Sequence, residues 1–535
     1  MASIARNQPQ QAHRRSQKVK TGCRTCKIRR VKCDEKRPSC FRCTSTGRTC
    51  DGYSSFGEAI QFPSHRDNQV SGPQNAVPLL TDFGNNVRYL EFYHHCVQPA
   101  LSSSFDKEFW SRTTLQMAHS EATVRHALIA LSYLYQTESG SMKHARARLT
   151  AFSGRKTLLS HYTKSVGILV NRMDESTYSP EIGLVSCLLF VCIEFLQGNY
   201  NTGFTHMTNG LKIISEWQKR KQKHVQFPIT THGSQLVSSS SIGTNGIIVD
   251  TLIPIFIRSM ASALIYGVDA EKVFDVPWPI LTNPEQMVFT TFREAQEAIH
   301  ELRNASILHI RSLAVKFFRS NPATDEDLRH QSQLLKCHQA WLRGLESYEG
   351  EYKLSRDEQI AASALRVTHY STVVCLSGAA DARQTPYDAH LDSFKEVIRH
   401  VKVVIDSQDT TNSHAAHFTF DISIIPPLFY VATRCRCPNT RREAVSLLAR
   451  KPPREGLWDP EQHVVVLNRV IEMEEREVDP ITGWPVETTR LWSVVIDGNM
   501  DQSGGFWVYF LLAKWVGEVE PDVLKTKVRY ERFVL

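Results

Sequence analysis

Six cysteines between Cys23 and Cys50 constrain this chain more than any other feature. They run Cys23-x2-Cys26-x6-Cys33-x6-Cys40-x2-Cys43-x6-Cys50, so Cys23, Cys26 and Cys33 recur as Cys40, Cys43 and Cys50, each shifted by 17. The x2 spacing lets two sulfurs reach one metal ion from a single turn, as in structural zinc sites. A three-cysteine unit does not close a tetrahedral site by itself. Two tetrahedral zinc ions need eight ligand positions, and six thiolates fill them only if two bridge both metals. The symmetry of the repeat then puts the bridging pair at equivalent positions. A disulfide knot is the competing reading. Against it stand the regularity of the repeat and the polar, basic stretch from Met1 to Arg15, which has no apolar run of a secretory signal. The longest apolar run, Ile182 to Leu196, contains Glu194 and falls short of the ~20 residues a membrane span requires. A reducing compartment is therefore expected, where clustered cysteines bind metal more often than they oxidise.

Charge divides the chain at the same place. Residues 1–50 hold fourteen Lys and Arg against Asp34 and Glu35, a balance of +12, while the other 485 residues hold 49 basic and 53 acidic groups, a balance of −4. The overall +8 on 535 residues hides this asymmetry. A basic end on a near-neutral body points to an anionic partner, either nucleic acid or an acidic membrane. Six thiolates and two zinc(II) ions sum to about −2, which leaves the metallated end strongly cationic. The length exceeds one hydrophobic core, and the apolar fraction of 41% with 22% charged residues excludes a fully disordered, collagen-like or membrane-embedded chain.

The segment Gly22-Cys-Arg-Thr-Cys-Lys-Ile-Arg-Arg-Val-Lys-Cys33, followed by Asp-Glu-Lys-Arg-Pro-Ser-Cys40 and then Cys43 and Cys50, resembles the zinc binuclear cluster of fungal six-cysteine transcription factors. The resemblance implies two Zn(II) held by Cys23, Cys26, Cys33, Cys40, Cys43 and Cys50. Cys23 and Cys40 would bridge, Cys26 and Cys33 would complete one site, and Cys43 and Cys50 the other. Pro38 sits where the family often has a cis proline.

Between Cys26 and Cys33, four of six residues are cationic (Lys27, Arg29, Arg30, Lys32), and Ile28 and Val31 are three apart. In a helix those two share a side while the cations fan over the rest, a shape suited to the major groove of double-stranded DNA. Arginine contacts guanine O6 and N7 through two hydrogen bonds. The resemblance places Arg29 and Arg30 at the base edges of a GC-rich, CGG-type triplet; many relatives have lysine there, and arginine changes the donor geometry. Lys27, Lys32, Arg42 and Arg48 read as phosphate contacts, with a solvated surface charge the rival reading for Arg42 and Arg48. Residues 1–20 read as a disordered basic arm that adds backbone contacts or part of a nuclear import signal.

Residues 21–52 are thus the expected zinc cluster domain and 53–85, with six Gly and Pro and no sustained apolar period, a linker without heptads. Both a homodimer joined through the body and a monomer stay open. Residues 86–535 read as a mainly α, all-helical body. Ser120 is placed to cap a helix through Val124, Ala127, Leu128, Leu131 and Leu134, and Leu158 to Met173 form another. Residues 181–195 are apolar nearly all round, the mark of an interior helix. Helices are further expected over 328–348, 357–378 and 388–407, with 220–245 a polar, disordered loop. The body resembles the fungal-specific regulatory region through Val124–Ser132, Cys187–Gly198 with His206 and Gly210, Ile424–Ala432 and Arg441–Ala444. That resemblance implies control of activity through a small-molecule effector or a co-regulator.

No phosphate loop, Gly-x-Gly-x-x-Gly, Gly-x-Ser-x-Gly or His-Glu-x-x-His occurs; His300-Glu301 lacks the second histidine. His94-His95-Cys96 and Cys435-Arg-Cys437 read as ordinary residues of a helical domain, Glu194 as a paired structural carboxylate, and the final 60 residues as a packing segment. The expectation is a nuclear, sequence-specific regulator of RNA polymerase II genes and not an enzyme, with no membrane partner. The rivals are a metabolite-sensing or scaffold protein that uses the cluster only as a non-specific nucleic-acid tether.

Overall fold

The computed structural model describes residues 23, 25–26, 31–36, 39–46, 50, 86–101, 106–138, 140–147, 155–225, 246–265, 287–409, 417–498 and 500–535. It divides into two compact units, Met1–Pro78 and Leu79–Leu535. The basic arm, the linker and Pro38 lie outside the described residues, as do Lys27, Arg29, Arg30 and Arg48.

In the first unit, helix α1 (Phe41–Thr44) is one short turn. Among the described residues its interior consists of the cysteines, with Val31 packed against them. So few apolar side chains cannot offset the entropy of ordering the segment, and ligation must supply the difference.

The second unit is mainly helical, as expected. Its first half holds α2 (Ala122–Thr137), α3 (Lys156–Met173), α4 (Pro180–Leu196), α5 (Tyr200–Val225) and α6 (Ile253–Ile265). Helix α4 is buried from Glu181 to Leu196, which explains its uniformly apolar sequence. Helix α5 buries Phe204, Met207, Leu211 and Ile214, spaced three and four apart, against the same core. At Gly210 a Cβ would collide with the Phe256 ring of α6, so any side chain there forces that ring to shift. Two expectations need correction. Ser120 does not cap α2: the N-cap is Glu121, and the Ser120 hydroxyl donates back to Met117 O (3.3 Å), ending the preceding helix. Residues 220–225 are not loop but the last turns of α5, because lysine and glutamine continue a helix readily; 226–245 lie outside the described residues.

The second half contains α7 (Phe292–Phe318), α8 (Asp325–Glu351), α9 (Arg356–Ser377), α10 (Leu391–Asp409), α11 (Ile425–Arg434), α12 (Pro438–Ala449) and α13 (Pro460–Glu474). Three of these start with reciprocal capping boxes, Thr291/Glu294, Thr324/Asp327 and Ser355/Glu358. The short strands β1 (Phe418–Thr419) and β2 (Arg454–Glu455) pair in parallel. Strands β3 (Leu491–Ile496), β4 (Gly505–Leu512) and β5 (Arg529–Val534) then form an antiparallel sheet in the order β3-β4-β5, an addition to the helices expected there.

Buried charges join the halves. Arg454 donates to Phe195 O (3.0 Å) and Leu196 O (2.9 Å) at the C-terminus of α4. Its neighbour Glu455 accepts from the backbone N–H groups of Ser423, Ile424 and Ile425 (2.9, 2.8 and 3.1 Å) where α11 begins. A cation meets a helix C-terminus and an anion a helix N-terminus, the favourable sense for both dipoles. Glu474 is fully buried and accepts from Arg436 (3.0 Å), Arg441 (2.8 Å) and Leu491 N (2.8 Å).

Candidate zinc centre and nucleic-acid interface

All six cysteines fall among the described residues, and the structure gathers them. The sulfurs of Cys23, Cys26, Cys40 and Cys43 lie within 4.8 Å of one another, and Cys33 and Asp34 lie within the same span of Cys40. Sγ–Sγ separations are 3.5 Å for Cys23–Cys40, 3.7 Å for Cys26–Cys40, and 3.8 Å for Cys23–Cys43 and Cys26–Cys43. With a Zn–S bond of ~2.3 Å, two sulfurs on one tetrahedral zinc sit ~3.8 Å apart, so this donor set suits zinc.

The 17-residue repeat is visible in the hydrogen bonds. Cys23 N donates to the Cys33 sulfur at 3.4 Å, and its counterpart Cys40 N donates to the Cys50 sulfur at 3.4 Å. Likewise Cys26 N donates to the Cys23 sulfur (3.4 Å) and Cys43 N to the Cys40 sulfur (3.3 Å). Each half-repeat thus starts a helical turn capped by its own first cysteine, with N–H groups aimed at sulfurs that carry negative charge once ligated. Burial pushes the Cys23, Cys26 and Cys40 thiols above their ordinary value, so a metal ion entering here displaces protons.

Asp34, significant in the sequence only as one of two acids, has a structural task. Its carboxylate accepts from Phe41 N (3.0 Å) and Arg42 N (2.9 Å), tying the segment after Cys33 to the start of α1. The Arg42 N–H, with that of Phe41, holds this carboxyl below the usual range. Only the proximity of an acid to the second half-repeat could have signalled it. Of the expected DNA contacts, Arg42 and Lys32 are both exposed. Val31 N donates to Cys26 O at 3.1 Å.

The other residues singled out form no such site. His94 and His95 are exposed and join no metal-competent group among the described residues. In Cys435-Arg-Cys437 it is Arg436 that matters, as a partner of Glu474. Glu194 accepts from Asn199 Nδ2 (2.9 Å), whose Oδ1 accepts from Arg146 (3.0 Å), a structural carboxylate paired through an amide. Among the described residues no helix is long and apolar enough to cross a membrane.

Residues 21–58 match the fungal Zn(2)-Cys(6) binuclear cluster domain, and residues 88–260 match the fungal specific transcription factor domain. The aspercryptin biosynthesis cluster-specific transcription regulator atnN of Emericella nidulans is 25% identical, over 90% of this chain and 92% of its own length. The transcription regulator lscL of Purpureocillium lilacinum is 24% identical over 71% of this chain and 92% of its own. The transcriptional regulatory protein moc3 of Schizosaccharomyces pombe is 50% identical over 8% and 9%. No solved structure matches the chain. In these two stretches, and along most of its length, the chain is similar to the fungal Zn(2)-Cys(6) transcription factors. Its first unit is a two-zinc domain, and its activity is DNA-binding regulation of transcription.

Proposed function

We propose that this chain is a nuclear regulator of genes transcribed by RNA polymerase II and that it reads a CGG-type triplet. The observation that carries the reading is the sulfur cluster with a basic segment strung between two of its ligands, Cys26 and Cys33. Arg29 and Arg30 face the base edges, each good bidentate pair contributing ~1–3 kcal/mol of discrimination. Lys27, Lys32, Arg42 and Arg48 neutralise phosphates and fix the register. Cys23 and Cys40 bridge the two metals, a reading supported by their 3.5 Å separation and equivalent places in the repeat. The helical body receives an effector or a co-regulator and passes its state to the DNA-bound end.

Selection of bound duplexes from a random pool, with zinc-loaded full-length protein, tests this reading. One GC-rich triplet is expected for a monomer, and paired triplets at fixed spacing for a homodimer. A pool with no enriched GC-rich triplet overturns the role given to Arg29 and Arg30. Because atnN is named for one biosynthetic cluster, promoters beside the gene for this chain are the natural first set in which to look for the selected sequence.

A further inference from the structure

A cavity of about 480 Å³ lies inside the second unit, and every residue lining it falls outside the two stretches matched by known domains. Small-molecule sites run from roughly 300 to 1,000 Å³, whereas close-packed interiors leave few voids larger than a water molecule. Its walls come from α7, α9, α11, the segment before α13, and β3. Ile307 and Ile310, Pro427 and Phe429, Trp458 and Ile496 give it an apolar, partly aromatic body.

The polar lining has one sign. Arg303, Arg311 and Arg434 all contribute, and no Asp or Glu occurs among the described lining residues. Arg303 is 8% exposed and donates to Arg258 O at 3.1 Å; Asp106 and Asp421 are taken by Arg258. Burial, with Arg258 beside it, lowers Arg303 to about 10, so it stays charged at neutral pH. Arg434 donates to Leu491 O (3.0 Å) and Trp492 O (2.7 Å) and lies over the rings of Tyr387 (5.5 Å) and Tyr430 (5.8 Å). Neither Arg303 nor Arg434 forms an ion pair among the described residues, and buried guanidinium groups with no carboxylate in direct contact favour an anion. On α9, Thr368, Ser371, Thr372 and Cys375 form one stripe facing the cavity. The Thr368 and Ser371 hydroxyls donate back to Ala364 O and Val367 O, while the Thr372 side chain, 6% exposed, makes no hydrogen bond among the described residues.

We propose that this cavity binds a small organic acid with an apolar, ring-containing body and a single anionic head such as a carboxylate, sulfonate or phenolate. The body lies against Phe429 and Trp458, and the head faces the arginines with Thr372 as an added donor. Phe429 packs against two separate core clusters, one built around α4 and one around α10 to α12, so occupancy alters the seam between them. The inference rests on the regulatory role proposed for the body and names the ligand class and the place.

Zinc-loaded full-length protein titrated with 8-anilinonaphthalene-1-sulfonate, read by fluorescence, tests it. Saturable binding at one site is expected, with 2-naphthoate displacing the probe at about a tenth of the concentration needed by neutral 2-naphthylmethanol. Filling the space with Thr372→Phe weakens the probe about tenfold or more. Equal potency of acid and alcohol, or probe binding unchanged in Thr372→Phe, overturns the proposal. Should Thr372→Phe lose its cooperative melt, the acid-to-alcohol ratio on the unaltered chain decides alone. Duplex binding measured on the same preparations separates the two readings: probe binding without triplet preference overturns only the DNA reading, and triplet preference without anion-selective probe binding overturns only this one.

Discussion

At the scale of single residues, two kinds of side chain are indispensable for different reasons. Cys40 caps α1, lies 3.5 Å from the Cys23 sulfur and belongs to both metal-competent groups. A Cys40→Ala chain is expected to lose zinc from both positions and all specific duplex binding. Metal content by atomic absorption, alongside a gel-shift titration, checks this; retained binding sinks the bridged cluster. Glu474 is the counterpart in the body, the shared acceptor for two arginines that are fully buried with it. Glu474→Gln leaves an uncompensated buried charge and is expected to cost about 3–5 kcal/mol in urea unfolding. The first residue was legible because ligand spacing is local in sequence. The second was not: Arg436, Arg441 and Glu474 come from separate segments, and nothing in each segment marks its charge as buried.

At the scale of elements, periodicity carried most of the fold. Helices α3, α4, α8, α9 and α10 fall where apolar residues recur at three and four or run continuously. Periodicity does not fix ends, which is why a plausible cap at Ser120 turned out to close the previous helix. The terminal sheet escaped for another reason. Leu491–Ile496 and Gly505–Leu512 are rich in β-branched and aromatic residues, a strand signal, but both faces of β4 carry apolar side chains and blur the alternation. The cavity left no trace in the sequence, since its wall is assembled from segments between Leu264 and Ile496. Close packing of α5 on α6 makes its own prediction. Gly210→Ala pushes a methyl group into the Phe256 ring and is expected to destabilise the body by about 1–3 kcal/mol, read from the denaturant midpoint.

At the scale of the whole molecule, the body should weaken in acid. Burial lowers His338 and His369 to about 3, and His126, His400, His417 and His463 to about 4. Unfolded histidine titrates near ~6.5, so the unfolded chain takes up protons first as pH falls. The stability these neutral rings contribute is complete above that value and is lost progressively down to pH 3–4. Urea midpoints are therefore expected to be flat from pH 7 to 8 and to decline below 6.5; a midpoint rising between pH 6.5 and 5 would contradict the burial of these rings.

The dipeptide Arg454–Glu455 has a consequence for how this protein can be dissected. The stretch 88–260 looks like a module that could be cloned alone, yet the last turn of α4 borrows its terminal donor from Arg454. The core around α4 is also finished by Phe418, Val466, Leu491 and Phe506, far along the chain. A fragment of 86–265 is thus half of a clasp, expected to be insoluble or to melt without cooperativity in calorimetry. Co-expression with 287–535 should restore a single transition, because both jaws of the clasp would then be present.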